Sequence, residues 1–377
     1  MAAAIRLAQR ARGLTSPNPI VGAVLVKQGQ VIGRGWHHSA GEPHAEIEAL
    51  RDAQKKGHSL KGATLYVTLE PCSTYGRTPP CTQAIVAAGI KSVIIGATDP
   101  NPAHRGEGFS ILKRAGIAVR FGIRAEECSR LNEAFNYWIV QRRPFVTVKA
   151  AMTLDGKIAT ASGESKWITG PEARAYAMKL RLDADAILVG VNTILLDNPR
   201  LTFRGKNSSI VSQKKLRRII LDSFARTPPD ARVISDTRSG QTTVVVSEAA
   251  PGSRVKALAD RVRVVIAPVV RCPGSNTVGS PKHVSAHIDL DWLLTRLGSE
   301  NVTSLLVEGG GEVNASFLLQ HQAQRVGFFY APKVLGGRDS RPAVGGDGAR
   351  DSKETLHLKE IEWRKLGPDL FLSALVV

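Results

Sequence analysis

The stretch Gly41-Glu42-Pro43-His44-Ala45-Glu46, taken with Leu69-Glu70-Pro71-Cys72 and Pro80-Cys81, decides how the first half of this 377-residue chain is read. One imidazole and two thiolates are three ligands of the kind zinc takes, and they leave a fourth position for water. Hydrolytic removal of a ring amine needs a Lewis acid that yields hydroxide near neutral pH. It also needs a carboxylate that carries the proton to the leaving amine. Glu46 follows His44 by two residues at the start of a helical pattern, near such a metal but not on it. The reading assigns His44, Cys72 and Cys81 as metal ligands and Glu46 as the general acid/base.

Zinc deaminases of nucleobases show H-x-E followed by P-C-x-x-C. Here the two cysteines are nine positions apart. The residues between them add turn formers and Arg77, whose guanidinium suits a phosphate. Outward from this motif, strand signals at 20–27 and 30–36 flank a Gln28-Gly29 turn. A helix over 43–56, a strand over 63–69, a helix over 80–88 and a strand over 92–97 follow. Helical patterns at 108–115 and 125–140 bracket a strand signal at 117–121. The alternation is that of an α/β domain with helices on a sheet. Residues 1–13 read as an amphipathic helix with Ile5, Ala8 and Arg12 at helical spacing. Three further segments join the pocket. Asn18 precedes the first strand and could bond a base edge. His37 and His38 are substrate contacts or surface histidines. Asp99 and Asn101 read ring or ribose groups, or simply cap a turn.

A boundary falls at Gln141-Arg142-Arg143-Pro144, which divides the chain into 1–143 and 144–377. Strand signals then appear at 145–150, 186–191, 218–222, 242–246, 262–266, 304–307 and 328–331, with a last candidate at 369–376. Helical patterns occupy 171–182, 289–297 and 313–320, and segments 205–216 and 270–288 read as polar surface loops. In Glu308-Gly309-Gly310-Gly311-Glu312 an apolar strand passes into a helix through three glycines. That is either a tight turn or a backbone that lets a pyrophosphate come close. It is not G-x-G-x-x-G, so a Rossmann assignment is weak. Trp167 is a half-buried core residue or an aromatic face beside the helix that begins at Pro171. Arg181 and Arg204, if they converge, would bind a phosphomonoester.

The composition sets limits. The apolar fraction is 43% and the charged fraction 22%, as in ordinary globular proteins. No apolar run has the roughly 18 residues of a membrane span, and the first residues do not read as a secretory signal. Four cysteines, at 72, 81, 128 and 272, make no disulfide framework. A reducing, cytoplasmic location is expected. The net charge of +18 raises the question of nucleic acid. Half of it, +9 from 19 basic and 10 acidic residues, lies in 1–143. This even spread argues against one dedicated nucleic-acid face and fits attraction of anionic small substrates. A nucleic-acid-editing deaminase would also carry the short cysteine spacing. A scaffold protein derived from this fold would be expected to lose His44, Glu46 or a cysteine. A deaminase with an inactive second domain is the remaining rival.

The blocks Pro17-Asn18-Pro19-Ile20-Val21-Gly22, GEPHAE at 41–46, TLEPCSTYGRTPPC at 68–81 and DPNP at 99–102 resemble the deaminase domain of the bifunctional riboflavin-biosynthesis deaminase/reductases. Residues 148–159, 162–169, 197–204 and 305–316 resemble the reductase domain of the same family. The resemblance implies a cytidine-deaminase-like domain followed by a dihydrofolate-reductase-like domain. It implies zinc-dependent deamination of 2,5-diamino-6-(5-phosphoribosylamino)pyrimidin-4-one. It implies NADPH-dependent reduction of the resulting aminouracil to a ribitylamino product. It places NADPH contacts at Ala151, Trp167, Thr193, Asp197, Ser223, Gly310, Gly311, Glu312, Val313, Asn314, Ala315 and Ser316. Substrate contacts fall at Asn18, His37, Arg77, Asp99 and Asn101 in the first domain. In the second they fall at Ser165, Arg181, Leu201, Arg204 and Glu308. Asp197 and Lys149 are the candidate proton donors for reduction. Small phosphoribosyl pyrimidines are the expected partners, with no nucleic acid or membrane, in a homo-oligomer. Gln324-Arg325 departs from an acidic pair frequent in the family.

Overall fold

A computed structural model describes residues 1–75, 79–205, 208–270 and 287–377. The chain forms two compact units, Met1–Arg143 and Pro144–Val377, each taken here by itself.

The first unit begins with helix α1 (Ala2–Ala8) and a hairpin of β1 (Gly22–Lys27) and β2 (Gln30–Trp36). Gln28 and Gly29 both have positive φ, 49° and 78°, the type I′ geometry that matches strand twist in a two-residue hairpin. Helix α2 (Ala45–Lys55), strand β3 (Thr64–Leu69), helix α3 (Cys81–Ala87), strand β4 (Ser92–Ala97), helix α4 (Glu107–Arg114) and strand β5 (Ala118–Arg120) follow. The sheet order is β2-β1-β3-β4-β5, antiparallel through β2, β1 and β3 and parallel from β3 to β5. Gly33 and Gly35 on β2 let α2 lie directly on the sheet. A Cβ on Gly35 would run into Ala45 O, and one on Gly33 into Ala49 O. Ala45, Ala49 and Ala53, one helical turn apart, form the matching face and are fully buried. The N-terminus of α2, with His44 and Glu46, is thereby set against the sheet.

Two expectations change here. The single helix over 125–140 is two helices, Ala125–Arg130 and Glu133–Gln141. The break lies at Asn132, whose amide exchanges two hydrogen bonds with the Ile20 backbone, 2.8 and 2.9 Å. The first helix stops at Ala8 and a 3-10 turn covers Gln9–Ala11, which leaves Arg12 exposed beyond the buried face.

The second unit is built on a nine-stranded sheet. Its order is Arg263–Ala267, Thr242–Ser247, Arg217–Leu221, Ala186–Gly190, Ser304–Val307, Phe145–Thr153, Arg325–Ala331, Asp369–Val376, Leu358–Leu366. The first seven are parallel and the last two join antiparallel. Buried on both faces, the inner strands are runs of Val, Ile and Leu. The strand Leu358–Leu366 was not expected. It is an exposed edge of mixed charge, with no apolar alternation to reveal it. Segment 205–216 is not wholly a loop: Ser208–Gln213 is helical, and Lys214 and Leu216 are buried. Of 270–288, the described ends pair as a short ladder, Val269–Val270 with His287–Ile288, and 271–286, with Cys272, lie outside the described residues. Among the described residues no helix is long and apolar enough to cross a membrane. Gln324 and Arg325 both have partners inside the unit, the Val146 amide at 2.8 Å and the Ser373 hydroxyl at 2.8 Å.

Candidate active sites

In the first unit, His44 is the residue before α2 and Cys81 opens α3, while Cys72 follows β3. Nδ1 of His44 lies 3.5 Å from Cys72 Sγ and 3.3 Å from Cys81 Sγ. The three donor atoms fall within 4.8 Å of one another, the only such group of three or more His, Cys, Asp or Glu among the described residues. Hydrogen bonds from Cys81 and His44 pull the Cys72 thiol down to about 4, against its burial. The Cys81 backbone N–H also donates to Cys72 Sγ at 3.3 Å. Two thiols, one already favoured as thiolate, and one imidazole form a donor set that fits zinc with an open position. Glu46, in the first turn of α2, is 3% exposed. Burial first, then the neighbouring Cys72, raises its carboxyl to about 7.

Asn18 and His37 meet beside this centre. His37 is buried, with Nδ1 3.1 Å from Pro43 O and Nε2 3.1 Å from Asn18 Nδ2. A carbonyl only accepts, so Nδ1 carries the proton and Nε2 accepts from the Asn18 amide. Burial lowers the His37 pKa, which favours this neutral form. The amide of Asn18 is thus turned with its Oδ1 as the remaining acceptor. The His37 and His44 rings stand edge to face at 5.3 Å. His38, by contrast, packs on Trp36 and faces Glu48 at 4.0 Å. After β4, Asp99 Oδ1 accepts from Asn101 N at 2.9 Å, and Asn101 Oδ1 from Ala103 N at 3.2 Å. One side-chain oxygen of each thus caps a turn, and both residues are half-buried in the loop. Arg77 lies outside the described residues. The sequence reading passed over Glu70, which is 5% exposed and bonds three amides of this loop region. An acid beside the Pro71-Cys72 pair was its one signal.

In the second unit three of the expected residues, Ala151, Ser223 and Glu308, lie where parallel strands end. Ala151, Gly190, Asp222-Ser223 and Glu308 lie at the carboxyl ends of four neighbouring strands, the usual place for ligands on such sheets. Glu308 pairs with Arg181 through Nε at 2.8 Å and Nη2 at 2.9 Å, and lies 3.6 Å from Lys149 Nζ. Arg181 Nη1 donates to Thr202 O at 3.0 Å. All three guanidinium nitrogens are thus used within the fold. Arg181 is largely buried, whereas Arg204, two residues after Thr202, is exposed. Leu201 is 3% exposed, and its side chain belongs to an apolar cluster with Ile187 and Ile194. Asp197 forms an ion pair with Lys166 at 2.9 Å. Trp167 is exposed, not core, and Arg174 Cζ lies 4.6 Å over its ring. Lys333 Nζ holds the Trp167 carbonyl at 3.0 Å. Arg174 and Lys333 were not expected; the Lys333 contact joins residues 166 positions apart. Ser165 and Thr193 are half-buried, and Ser223 O takes the Ser247 hydroxyl at 2.7 Å.

The three glycines before helix Gly311–Leu319 differ in purpose. A Cβ on Gly309 would sit 2.5 Å from Val313 Cβ, and one on Gly311 2.6 Å from Pro342 O. A Cβ on Gly310 would meet nothing within 4 Å. Gly309 and Gly311 are required by packing, whereas Gly310 opens onto free space. The first amides of the helix, at Gly311, Glu312 and Val313, have no intrahelical acceptor and carry its positive end. Asn314 and Ala315 are buried, with Asn314 Nδ2 donating to Ala343 O at 2.8 Å. Ser316 Oγ turns back to Glu312 O.

Comparison with known proteins agrees with both halves. Residues 1–97 match the cytidine and deoxycytidylate deaminase zinc-binding region, and residues 144–372 match the RibD C-terminal domain. The riboflavin biosynthesis protein RibD of Actinobacillus pleuropneumoniae is 40% identical over 377 residues, covering 100% of this chain and 94% of that one. That of Aquifex aeolicus is 41% identical over 372 residues, covering 99% and 96%. The structure of Acinetobacter baumannii RibD superposes with a TM-score of 0.85 at 35% identity, covering 100% of this chain and 97% of that one. A Thermotoga maritima diaminohydroxyphosphoribosylaminopyrimidine deaminase/5-amino-6-(5-phosphoribosylamino)uracil reductase gives 0.78 at 34% identity, with the same coverage. With a zinc-binding deaminase region and a RibD reductase domain in one chain, matched over their full length, the chain belongs to the RibD family of bifunctional riboflavin-biosynthesis deaminase/reductases.

Proposed function

We propose that the first unit hydrolyses the ring amine of 2,5-diamino-6-(5-phosphoribosylamino)pyrimidin-4-one, and that the second reduces the product sugar with NADPH to a ribityl chain. The observation that carries this reading is the His44, Cys72 and Cys81 donor set beside the buried Glu46. These three side chains would hold a zinc ion, which would supply the Lewis acid for activating water. Glu46 takes the proton of the attacking water and delivers it to the leaving amine. Asn18 Oδ1, turned by His37, accepts a hydrogen bond from the pyrimidine edge. Asp99 and Asn101 face the ring or ribose from the loop after β4. Arg77 receives the phosphate.

In the second unit a bound NADPH would supply the hydride, and the protein's part is placement. The amides at the start of helix Gly311–Leu319 meet the cofactor phosphates. Ala151, Trp167, Thr193, Asp197 and Ser223 line the rest of its path. Glu308 binds the substrate, with Arg181 holding its carboxylate in place. Ser165 and Arg204 complete that site, with the exposed Arg204 assigned to the phosphate. Lys149, next to Glu308, and Asp197 are the residues to move a proton. The exposed edge strand Leu358–Leu366, which leaves Ile361 and Trp363 exposed, supports a homo-oligomer joined there. Sedimentation of Trp363→Lys tests that contact, and an unchanged mass would remove it.

One assay tests the function. The diaminopyrimidine is supplied with and without NADPH, and ammonia release and NADPH loss are followed separately. Ammonia should appear without NADPH, and NADPH should be consumed only after deamination. Absence of either signal overturns the corresponding half.

A further inference from the structure

The carboxylate of Glu70 ties the segment that carries Cys72 to the loop that carries Asp99 and Asn101. Glu70 ends β3, where its own amide donates to Ala97 O at 2.9 Å at the end of β4. Its side chain then turns onto the chain that leaves β4. Oε2 accepts from Asp99 N at 3.1 Å and Gly106 N at 3.2 Å, and Oε1 from Gly108 N at 3.0 Å. The two outer anchors, Asp99 and Gly106, bracket residues 100–105. Gly106 precedes α4 and Gly108 lies in its first turn, so the same carboxylate serves as a cap supplied from another strand. Gly108 has room only without a side chain: a Cβ there would lie 2.5 Å from Pro71 O and 3.1 Å from Glu70 itself. The loop start and the helix start are therefore held against Glu70-Pro71-Cys72 by three charge-assisted bonds and one close backbone approach.

We infer that Glu70 is a positioning residue for deamination, which fixes the Asp99–Gly106 loop over the metal-binding segment so that the pyrimidine meets a preformed recognition edge. It acts through the loop that it holds and not on a reacting atom. A loop staked at both ends from one residue needs no ordering when substrate arrives, which lowers the cost of binding. Losing the stake should therefore weaken binding of the pyrimidine and leave the proton shuttle and the metal ligands in place. The inference rests on the assignment of Asp99 and Asn101 to substrate recognition.

The test uses the full-length, zinc-loaded chain with Glu70→Gln, which keeps the size of the side chain but turns one acceptor into a donor. KM for the diaminopyrimidine should rise about 10-fold or more, since bonds to a charged group are lost. The kcat should change by less than about 3-fold, far below the loss expected of an acid/base residue. Zinc content should stay equal to that of the parent, and NADPH-dependent reduction of the deaminated intermediate should be unaffected. Hydrogen exchange at 98–108 should accelerate. An unchanged KM, or a loss of zinc at unchanged KM, overturns the inference. Asn101→Ala separates the two levels. If it raises KM while Glu70→Gln does not, the positioning role fails and the recognition loop stands. If neither does, the recognition loop itself is wrong. Should Glu70→Gln fail to fold, the parent chain still decides: the amides of Asp99, Gly106 and Gly108 must be protected from exchange without substrate, and rapid exchange there refutes the stake.

Discussion

Arg181 and Glu308 meet fork to fork in the second unit, Nε to Oε1 at 2.8 Å and Nη2 to Oε2 at 2.9 Å, both side chains about one-tenth exposed. Burial by itself would raise the Glu308 carboxyl, but the Arg181 and Lys149 charges beside it win and hold it down at about 2, against an ordinary 4.5. A carboxylate with a depressed folded-state pKa adds stability that is complete above its unfolded value and is lost as pH falls through the folded one. The window here runs from about 4.5 down to about 2. Breaking one partner of a buried pair typically costs about 3–5 kcal/mol. Glu308→Gln should therefore lower the urea midpoint of the C-terminal unit at pH 7. The gap between parent and variant should close as pH falls through that window. A gap that stays constant with pH would mean that the Glu308 charge contributes nothing.

Glu46→Gln keeps the shape of the side chain and removes its ability to carry a proton. Ammonia release should fall by about 100- to 10,000-fold. Zinc, held by His44, Cys72 and Cys81, should remain at the parent level by metal analysis, and NADPH oxidation on the deaminated intermediate should continue. Ammonia release near the parent rate would end the acid/base assignment.

Local chemistry made the deaminase centre readable in sequence. His44 and Glu46 lie on one helix start, the cysteines follow prolines at turn positions, and the donor set names its own metal. The order of elements was readable where apolar runs are strong, as from Thr64 to Leu69 and from Ser304 to Val307. Contacts made across long stretches of chain were not readable. Nothing near Arg181 announces that Glu308, 127 residues on, will occupy its guanidinium, so it read as a free phosphate ligand. Leu201 sits in a polar loop, yet its side chain turns into the core. Asn132 looked like an ordinary helical residue because its partner, Ile20, is 112 positions away. The edge strand Leu358–Leu366 has no buried face, so no apolar period marked it.

The glycine turn gives a paired prediction. Gly310→Val places methyl groups in open space with the backbone at φ −75°, which any residue adopts. The unit should fold, with KM for NADPH raised because the side chain stands where the phosphates approach the helix. Gly311→Val pushes against Pro342 O and should destabilise the unit, by about 1–3 kcal/mol on the scale of overpacked cores. Deamination should be untouched in both. Equal thermal stability of the two variants, or an unchanged KM in Gly310→Val, would contradict the division of roles.

The last prediction concerns the phosphate of the substrate. With the Arg181 guanidinium committed to Glu308 and Thr202, the substrate phosphate at the reductase site is assigned to the exposed Arg204. Removing a hydrogen bond to a charged group costs about 1.5–3 kcal/mol, or about 10- to 150-fold in kcat/KM. Arg204→Ala should impose that penalty on NADPH-dependent reduction and leave ammonia release unchanged. The penalty should shrink toward nothing with the dephosphorylated intermediate, which has no phosphate to lose. Arg181→Met should behave differently. It strands the Glu308 carboxylate, so it should lower the urea midpoint and weaken reduction to a similar degree whether or not the phosphate is present. Arg77→Ala, in the insertion between the cysteines, should mirror Arg204→Ala, with the loss confined to deamination of the phosphorylated substrate. If Arg204→Ala costs as much without the phosphate as with it, Arg204 acts as a general electrostatic or structural residue. If instead Arg181→Met is the variant whose penalty vanishes with the phosphate, then the anion reaches Arg181 in the complex, and the pair with Glu308 opens when substrate binds.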